Sequence, residues 1–156
     1  MNDDVKKEVL KLDNQLCFRL YQVSRNMTRF YQPFLEKFNL TYPQYIVMLV
    51  VFEHENIDFK ALSDKVDLRT GTLTPMLKKL EEIGYINREV NRDDRRKMTV
   101  RITEKGKILN EEILEVPISM YGELEMKQSS YHTMVKELDS LLINLKDGIN
   151  KKENEK

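Results

Sequence analysis

The segment from Asp58 to Gly84 constrains the fold most, because it holds two short helix patterns separated by only a few residues. Asp58 has the chemistry of an N-cap for a helix over about residues 59–66. The second pattern ends at Gly84, a residue type that often closes a helix. This second helix begins at either Thr70 or Thr74, and the pattern leaves both starts open. Two helices joined by so short a turn predict a helix-turn-helix.

Two strand patterns follow directly after this pair of helices. Residues 85–90 form one, and residues 98–102 alternate between apolar and polar side chains, which is typical of a half-buried strand. The residues between them, 91–97, include four basic and two acidic side chains. Taken alone, this tip is equally well a solvated turn whose charges compensate each other. Together, the elements predict a mainly α-helical fold with a small β-hairpin, a winged helix-turn-helix that reads both grooves of DNA.

The charge distribution favours the same interpretation, although the formal net charge of the chain is zero. Residues 60–107 carry thirteen basic and eight acidic side chains, whereas residues 1–59 carry seven and eight. Residues 108–156 carry six basic and ten acidic side chains. Taken alone, an excess of five basic charges is better explained as an ordinary solvated surface. Combined with the helix pair and the hairpin, a basic middle between acidic flanks indicates a localised surface for a polyanion such as double-stranded DNA.

The N-terminal part is predicted to be helical. Apolar residues recur every three or four positions between Leu12 and Phe38, which is the spacing of one helix face. Pro33 lies inside this stripe and should kink or end the helix. Thr41 and Gln44 have the spacing of a capping box, so a second, apolar and deeply buried helix should begin there.

The C-terminal part is predicted to be helical as well. Thr103 should cap a helix that runs to about Met126 with a bend at Pro117, and Ser129 or Ser130 should cap a final helix. The apolar stripes on the terminal helices exceed what a small winged helix needs for its own core, so we expect a homodimer. An extended core within a monomer is the alternative.

These boundaries predict one domain that covers residues 1–156. We expect dimerisation helices at about 1–38 and 108–150, and a winged-helix DNA-binding region at about 40–106. The Lys/Glu/Asn-rich residues 151–156 should form a disordered tail.

Composition and motifs exclude several other classes. The longest apolar run, residues 45–52, is far shorter than the roughly 20 residues that cross a bilayer, so no membrane partner is expected. The start of the chain is acidic and unlike an export signal, which predicts a cytoplasmic protein. His54 and His132 lack further ligands at metal-binding spacing, and no glycine loop or catalytic constellation stands out. We therefore expect no metal, no cofactor and no enzymatic activity.

Cys17, the one cysteine in the sequence, is the reactive side chain that matters most. A lone cysteine on a helix is usually a small buried apolar residue. It becomes reactive when neighbours stabilise the thiolate, and phenolic O–H groups can do this by hydrogen bonding. Tyr21, Tyr31, Tyr42 and Tyr45 are clustered nearby in sequence, but spacing alone does not show which of them meets the thiol.

Four blocks of the sequence resemble a known family. They read LDNQLCF at 12–18, LTYPQY at 40–45, GTLTPMLK at 71–78, and DRR at 94–96 leading into ITEKG at 102–106. In these blocks the chain resembles the MarR family of transcriptional regulators, and within it the single-cysteine, OhrR-like branch that senses organic hydroperoxides. The first block is specific to that branch, and the wing block marks the broad family.

The resemblance implies a homodimeric repressor that binds a pseudo-palindromic operator and leaves it when a peroxide oxidises Cys17. It implies that Tyr31 and Tyr42 hold the thiolate, while the helix near Thr70 reads the major groove and Arg96 enters the minor groove. The predicted DNA contacts are Arg69, Thr70, Thr72, Thr74, Lys78, Arg92, Asp94, Arg95 and Arg96. The chain departs from the branch at Arg69, where an acidic residue is usual, and this changes the charge that faces DNA.

The fate of the oxidised thiol stays open at this stage. No second cysteine is present in the sequence, so the only disulfide within the protein would join Cys17 to Cys17 of a second chain. Otherwise Cys17 can form a mixed disulfide with a low-molecular-weight thiol, cyclise to a sulfenamide or over-oxidise. Other functions compatible with the sequence are a stress or virulence regulator that answers a small ligand, a thiol peroxidase, and a winged-helix module that binds protein.

Overall fold

The computed structural model describes residues 7–90 and 98–155. The chain divides into two compact units, one up to Val116 and one from Pro117 onward, and each is described by itself. After a short 3-10 turn the helices are α1 (Leu16–Glu36), α2 (Tyr42–His54), α3 (Phe59–Val66), α4 (Thr70–Ile83), α5 (Glu104–Glu112), α6 (Glu115–Glu123) and α7 (Gln128–Asn154). The strands are β1 (Asn56–Asp58), β2 (Ile86–Val90) and β3 (Met98–Ile102). A mainly helical fold with a small antiparallel sheet is thus confirmed.

The sheet has three strands in the order β1-β3-β2, whereas the sequence analysis predicts a two-stranded hairpin. Strand β1 pairs with β3 through Ile57 opposite Val100, and β2 pairs with β3 through Arg88 opposite the same residue. A strand of three residues has no periodicity of its own to detect, and β1 exists because β3 offers its free edge. Strands β2 and β3 form the wing, and β1 joins this wing to the start of α3.

Local sequence chemistry places three helix ends as predicted. The Thr41 N–H donates to Oε1 of Gln44 at 2.9 Å, which is one half of the capping box at the start of α2. The Asp58 carboxylate accepts from the Lys60 N–H at 2.8 Å at the start of α3. Gly84 closes α4 with a φ of 90°, a conformation that favours glycine.

The structure also decides the open start of α4, and of the two outcomes predicted at Pro33, a kink or an end of the helix, it rules out the end. Helix α4 begins at Thr70, the earlier candidate, and Pro75 lies inside it. Helix α1 continues through Pro33 to Glu36. The ring removes one backbone hydrogen-bond donor there, but the complete burial of Leu35 two residues later favours continuation of the helix.

The C-terminal helices differ from the prediction in three places. The helix that Thr103 caps ends at Glu112, so it does not run to Met126. Pro117 does not bend it, because this proline lies in the first turn of α6, where a missing N–H carries no penalty. Helix α7 begins at Gln128 without a side-chain cap from Ser129 or Ser130, and it continues through residues 151–154 of the predicted tail.

The hydrophobic core lies in the first unit. It gathers apolar side chains from α2, α4, the strands and the residues around the α5–α6 break, among them Met48, Leu77, Ile86, Val100 and Ile113. Among the described residues, no helix combines the length and apolar content that a membrane span requires. This core supports α3, α4 and the wing, so the predicted DNA-binding elements are held within one chain.

Candidate DNA-binding surface and sensing cysteine

Helix α4 separates its apolar and polar side chains onto opposite faces. Leu73, Leu77 and Leu80, spaced by four and three positions, are completely buried. The intervening residues therefore point outward, because side chains three to four positions apart share one helix face. The five predicted contacts at this helix are all exposed: Arg69, Thr70, Thr72, Thr74 and Lys78.

Two cations on this outer surface are free to meet a phosphate. Arg69 and Lys78 form no ion pair with any other residue that the structure describes. Lys79, next to Lys78, instead lies 3.4 Å from the Glu82 carboxylate. The neutral threonines between Arg69 and Lys78 offer hydroxyl and methyl groups, which is the chemistry that base edges require.

The turn between α3 and α4 is fixed by short-range hydrogen bonds. Asp67 takes a left-handed conformation with φ of 53° and ends α3. The Leu68 N–H donates to the Ser63 carbonyl at 3.1 Å, and the Ser63 hydroxyl donates back to the Leu68 carbonyl at 2.5 Å. The direction of α4 relative to α3 is therefore set by the backbone and by one serine.

A charged pair joins α4 to the wing. The Arg88 N–H and Nε of β2 each donate to the Glu81 carboxylate of α4 at 2.9 Å. The Arg88 side chain holds the pKa of Glu81 below its ordinary value, opposed by partial burial. This pair could not be predicted from the sequence, since opposite charges seven positions apart carry no signal until a turn brings them together. It fixes the angle between the helix and the wing.

The predicted contacts at the wing tip are Arg92, Asp94, Arg95 and Arg96. They fall between β2 and β3 in sequence and lie outside the described residues. Their roles stay predictions.

Cys17 is exposed in the first turn of α1. Tyr31 lies fourteen positions further along the same helix, which is about 21 Å at 1.5 Å per residue. Within one chain, the predicted thiol and this predicted tyrosine partner therefore do not meet. The sequence spacing could not show this, because it does not state whether the chain turns back between Cys17 and Tyr31.

The tyrosines do gather with each other. The ring centroid of Tyr31 lies 4.8 Å from that of Tyr42 and 5.7 Å from that of Tyr45. Burial raises the pKa of both Tyr42 and Tyr45, and for Tyr45 the neighbouring Tyr42 adds to the effect. These phenols keep their protons near neutral pH and remain hydrogen-bond donors. The three rings form a cluster where α1 packs against α2, with Tyr45 buried and Tyr31 and Tyr42 partly exposed.

The family can now be stated. A family model described as transcriptional regulator SarA/Rot matches residues 29–113, which is more than half of the chain. The chain belongs to this SarA/Rot family. As a member of a family of transcriptional regulators, it is not an enzyme, as the sequence analysis predicts.

Similar proteins support the same assignment. The organic hydroperoxide resistance transcriptional regulator of Bacillus subtilis is 41% identical over 85% of this chain and 95% of its own length. A structure of reduced AbfR bound to DNA has a TM-score of 0.81 and 34% identity, covering 92% of this chain and 99% of that one; AbfR comes from Staphylococcus epidermidis. A crystal structure of MarR is 24% identical to this chain, with a TM-score of 0.70. The match covers 83% of this chain and 96% of the MarR chain and shows that the two share the winged-helix fold. The resemblance to organic-hydroperoxide regulators is confirmed.

Proposed function

We propose that this protein is a redox-responsive transcriptional repressor that binds double-stranded DNA as a homodimer and leaves it when Cys17 is oxidised. The observation that carries the proposal is the outer face of α4, where Arg69, three threonines and Lys78 are exposed over a buried leucine row. The redox part is supported by the exposed Cys17 and by the similarity to an organic hydroperoxide regulator.

The outer face of α4 suits the major groove. An α-helix fits this groove, and its first residues approach the base edges. Arg69 at the N-terminal end has the bidentate geometry for a guanine, and the threonines can contact thymine methyl groups or polar base edges. Lys78, two turns further along, is placed for a phosphate, which positions the helix without reading sequence. Arg96 at the wing tip is the proposed minor-groove contact.

A second copy of the chain is the proposed cover for the exposed apolar side chains of the terminal helices. On α1 and the turn before it, Leu12, Leu16 and Val23 are each more than half exposed. On α7 the row formed by Tyr131, Met134, Leu138, Leu142, Leu145 and Ile149 is also exposed. Rows of this kind are unfavourable in water and are typical of an interface between identical chains. A two-fold dimer prefers a pseudo-palindrome with half-sites about 10 bp apart.

The dimer also explains how a phenol reaches the thiol. Cys17 and Tyr31 lie on one helix about 21 Å apart, so Tyr31 can donate to Cys17 only from another chain. Two α1 helices that cross antiparallel about a two-fold axis bring the start of one towards the end of the other. The tyrosine cluster of Tyr31, Tyr42 and Tyr45 would then face the partner's Cys17.

The proposed trigger is a balanced two-electron oxidation. The Cys17 thiolate attacks one oxygen of an organic hydroperoxide, so a sulfur–oxygen bond forms, the O–O bond breaks, and the alcohol leaves with a proton from solvent. The product is a sulfenic acid. A low-molecular-weight thiol can then displace water and leave a mixed disulfide. AbfR, a relative, has been solved in reduced, overoxidized and disulfide-formed states.

The decisive experiment compares the wild type with Cys17→Ser. Serine keeps the size and a polar atom, so we expect the reduced-state affinity for DNA to be unchanged. It cannot form a sulfenic acid, so DNA release on addition of cumene hydroperoxide should disappear. The measurement is fluorescence anisotropy of a labelled duplex, selected by the reduced protein from a random pool, with mass spectrometry of residue 17.

Tyr42→Phe provides the companion variant. It should bind DNA like the wild type but oxidise more slowly, because the phenol no longer stabilises the thiolate. If Cys17→Ser releases DNA at the wild-type rate, the sensor lies elsewhere, and the methionines are the next candidates. If neither protein binds the selected duplex above the background of a random duplex, the DNA-binding proposal itself is wrong.

A further inference from the structure

Tyr85 occupies the junction where α4 ends and β2 begins. Its main-chain N–H donates to the Leu80 carbonyl of α4 at 3.0 Å, and its main-chain carbonyl accepts from the Thr103 N–H at 3.1 Å. Its phenol O–H donates to the Phe38 carbonyl at 3.0 Å. The three polar groups of one residue therefore bond to α4, to the start of α5, and to the turn after α1.

The carbonyl of Phe38 is well placed to report on α1. Helix α1 ends at Glu36, and the Phe38 N–H still donates to the Leu35 carbonyl at 3.0 Å, so the turn moves with the last turn of the helix. Carbonyls beyond a helix end have no helical donor and need another partner. Tyr85, 47 positions away in sequence, supplies it.

The surroundings prevent Tyr85 from adjusting independently. Tyr85 and Phe38 are each only 6% exposed. The Lys105 ammonium lies 5.1 Å from the Tyr85 ring centroid and donates to the Ile83 carbonyl at 2.7 Å. A side chain on Gly106 would collide with the Tyr85 carbonyl, so the backbone is closely packed there. Because Tyr85 is closely packed on all these sides, a displacement of Phe38 should move Tyr85 as a whole and not only rotate its side chain.

The phenol is a dependable donor. Burial raises the pKa of Tyr85, and the Glu112 carboxylate adds to this effect. The group therefore stays protonated throughout the physiological range, and its hydrogen bond to Phe38 does not depend on pH there.

We infer that Tyr85 is a positioning residue that couples the position of α1 to α4 and the wing through its hydrogen bond to Phe38. The inference rests on the proposed function, because α1 is the helix that carries Cys17. When α1 moves, the Phe38 carbonyl moves with it, and Tyr85 pulls the corner between α4 and β2. Both protomers then lose their match to half-sites about 10 bp apart, and affinity for DNA falls.

The test is Tyr85→Phe, which removes one oxygen and keeps the ring, its packing and its contact with Lys105. The quantity measured is the ratio of Kd for the selected duplex between the Cys17-oxidised and the reduced protein, at equal oxidation confirmed by mass spectrometry. We expect this ratio to fall about two- to tenfold in Tyr85→Phe, the range that one ordinary hydrogen bond contributes. The rate of Cys17 oxidation should stay at the wild-type value.

Lys105→Met is the matched control. It removes the hydrogen bond to Ile83 and the charge over the Tyr85 ring, while the unbranched methionine side chain can still pack on that ring and the hydrogen bond from Tyr85 to Phe38 is kept. A loss of charge weakens DNA binding in both redox states alike, so its Kd ratio should equal that of the wild type. A merely structural role for Tyr85 predicts instead that both variants change stability and that neither changes the ratio.

Hydrogen exchange separates this inference from the proposed function. On oxidation of Cys17, amide exchange should change at residues 38–40 and at residues 80–86 in the wild type, but only at residues 38–40 in Tyr85→Phe. Equal changes at both segments in the two proteins, or an unchanged Kd ratio in Tyr85→Phe, would overturn the coupling and leave the repressor proposal intact. If oxidation of Cys17 does not change the affinity of the wild type for DNA, the repressor proposal is wrong. The hydrogen-exchange pattern then still shows whether Tyr85 couples α1 to α4.

Discussion

Helices α4 and α7 are both amphipathic, yet they satisfy their apolar faces in different ways. In α4, Leu73 and Leu77 are completely buried by other parts of the same chain. In α7, Leu142 and Ile149 remain 53% and 54% exposed. The apolar face of α4 is thus buried within one chain, whereas the apolar row of α7 is exposed and is the surface that we propose for the dimer. In the proposed dimer, α4 contacts DNA and α7 contributes to the interface between the two chains, so the two functions depend on separate hydrophobic surfaces.

The largest expected effect is on α4, whose leucines are buried within one chain. Leu77→Ala should lower the free energy of unfolding by about 2–5 kcal/mol, because it leaves a cavity in a fully packed core. The loss should be the same at low and high protein concentration. Urea denaturation at two concentrations measures it, and Thr74→Ala, an exposed change on the same helix, serves as the control. A loss below about 1 kcal/mol would mean that α4 is not held as described.

The second effect concerns α7, whose exposed apolar row is the proposed dimer interface. Leu138→Glu combined with Leu142→Glu puts two charges into the α7 row and should give a folded monomer. DNA affinity should fall roughly 100-fold, since two linked half-site contacts become one. Sedimentation and anisotropy measure the two outcomes, with Ser140→Glu on the opposite face of α7 as the control. A dimer that persists with both charges would show that this row is covered in another way.

The third effect concerns the outer face of α4. Lys78→Ala should weaken binding to all duplexes alike and lower the slope of log Kd against log salt by about 0.9 per protomer, since one phosphate contact is lost. Lys79→Ala is the matched control, because Lys79 already pairs with Glu82. Titrations at several salt concentrations compare them. Equal slopes for Lys78→Ala and the wild type would remove Lys78 from the interface.

The smallest effect concerns pH and the join between α4 and the wing. The folded-state pKa of Glu81 lies below its ordinary value of 4.5 because Arg88 bonds the carboxylate. The stability that this pair contributes is therefore complete above about pH 4.5 and is lost as the pH falls below it, through the lowered pKa. The pair is partly exposed, so we expect about 0.5–1 kcal/mol. Glu81→Gln should flatten this part of the pH profile, and an unchanged profile would contradict the assignment.

Much of the winged helix could be predicted because its signals are local. The Asp58 cap, the Thr41 and Gln44 capping box and the Gly84 terminus each depend on chemistry within four residues. Strand β1 could not be predicted, since its existence depends on pairing with Val100, far along the chain. The break near Ile113 was missed for a related reason. Pro117 looks like a bend in sequence, but it begins a new helix once the break has formed upstream.

The candidate site shows the same division. The exposed residues of α4 follow from the leucine spacing, so a sequence pattern is enough to find them. The separation of Cys17 from Tyr31 depends on whether α1 continues as one helix, and the Glu81–Arg88 pair depends on how the wing folds back. Contacts across a turn or between chains do not produce a regular spacing of apolar residues, so the sequence pattern does not predict them.

The close packing at Gly106 has a consequence in genetic terms. Even alanine there would collide with the Tyr85 carbonyl and lie 2.7 Å from Cγ1 of Ile102. A Gly106→Ala allele would displace the corner between α4 and β2 without any oxidant. In a reporter strain for the proposed repressor, it would produce constitutive expression of the target gene. Selection for peroxide-independent expression should therefore recover mutations at this glycine as well as in the DNA-contacting residues.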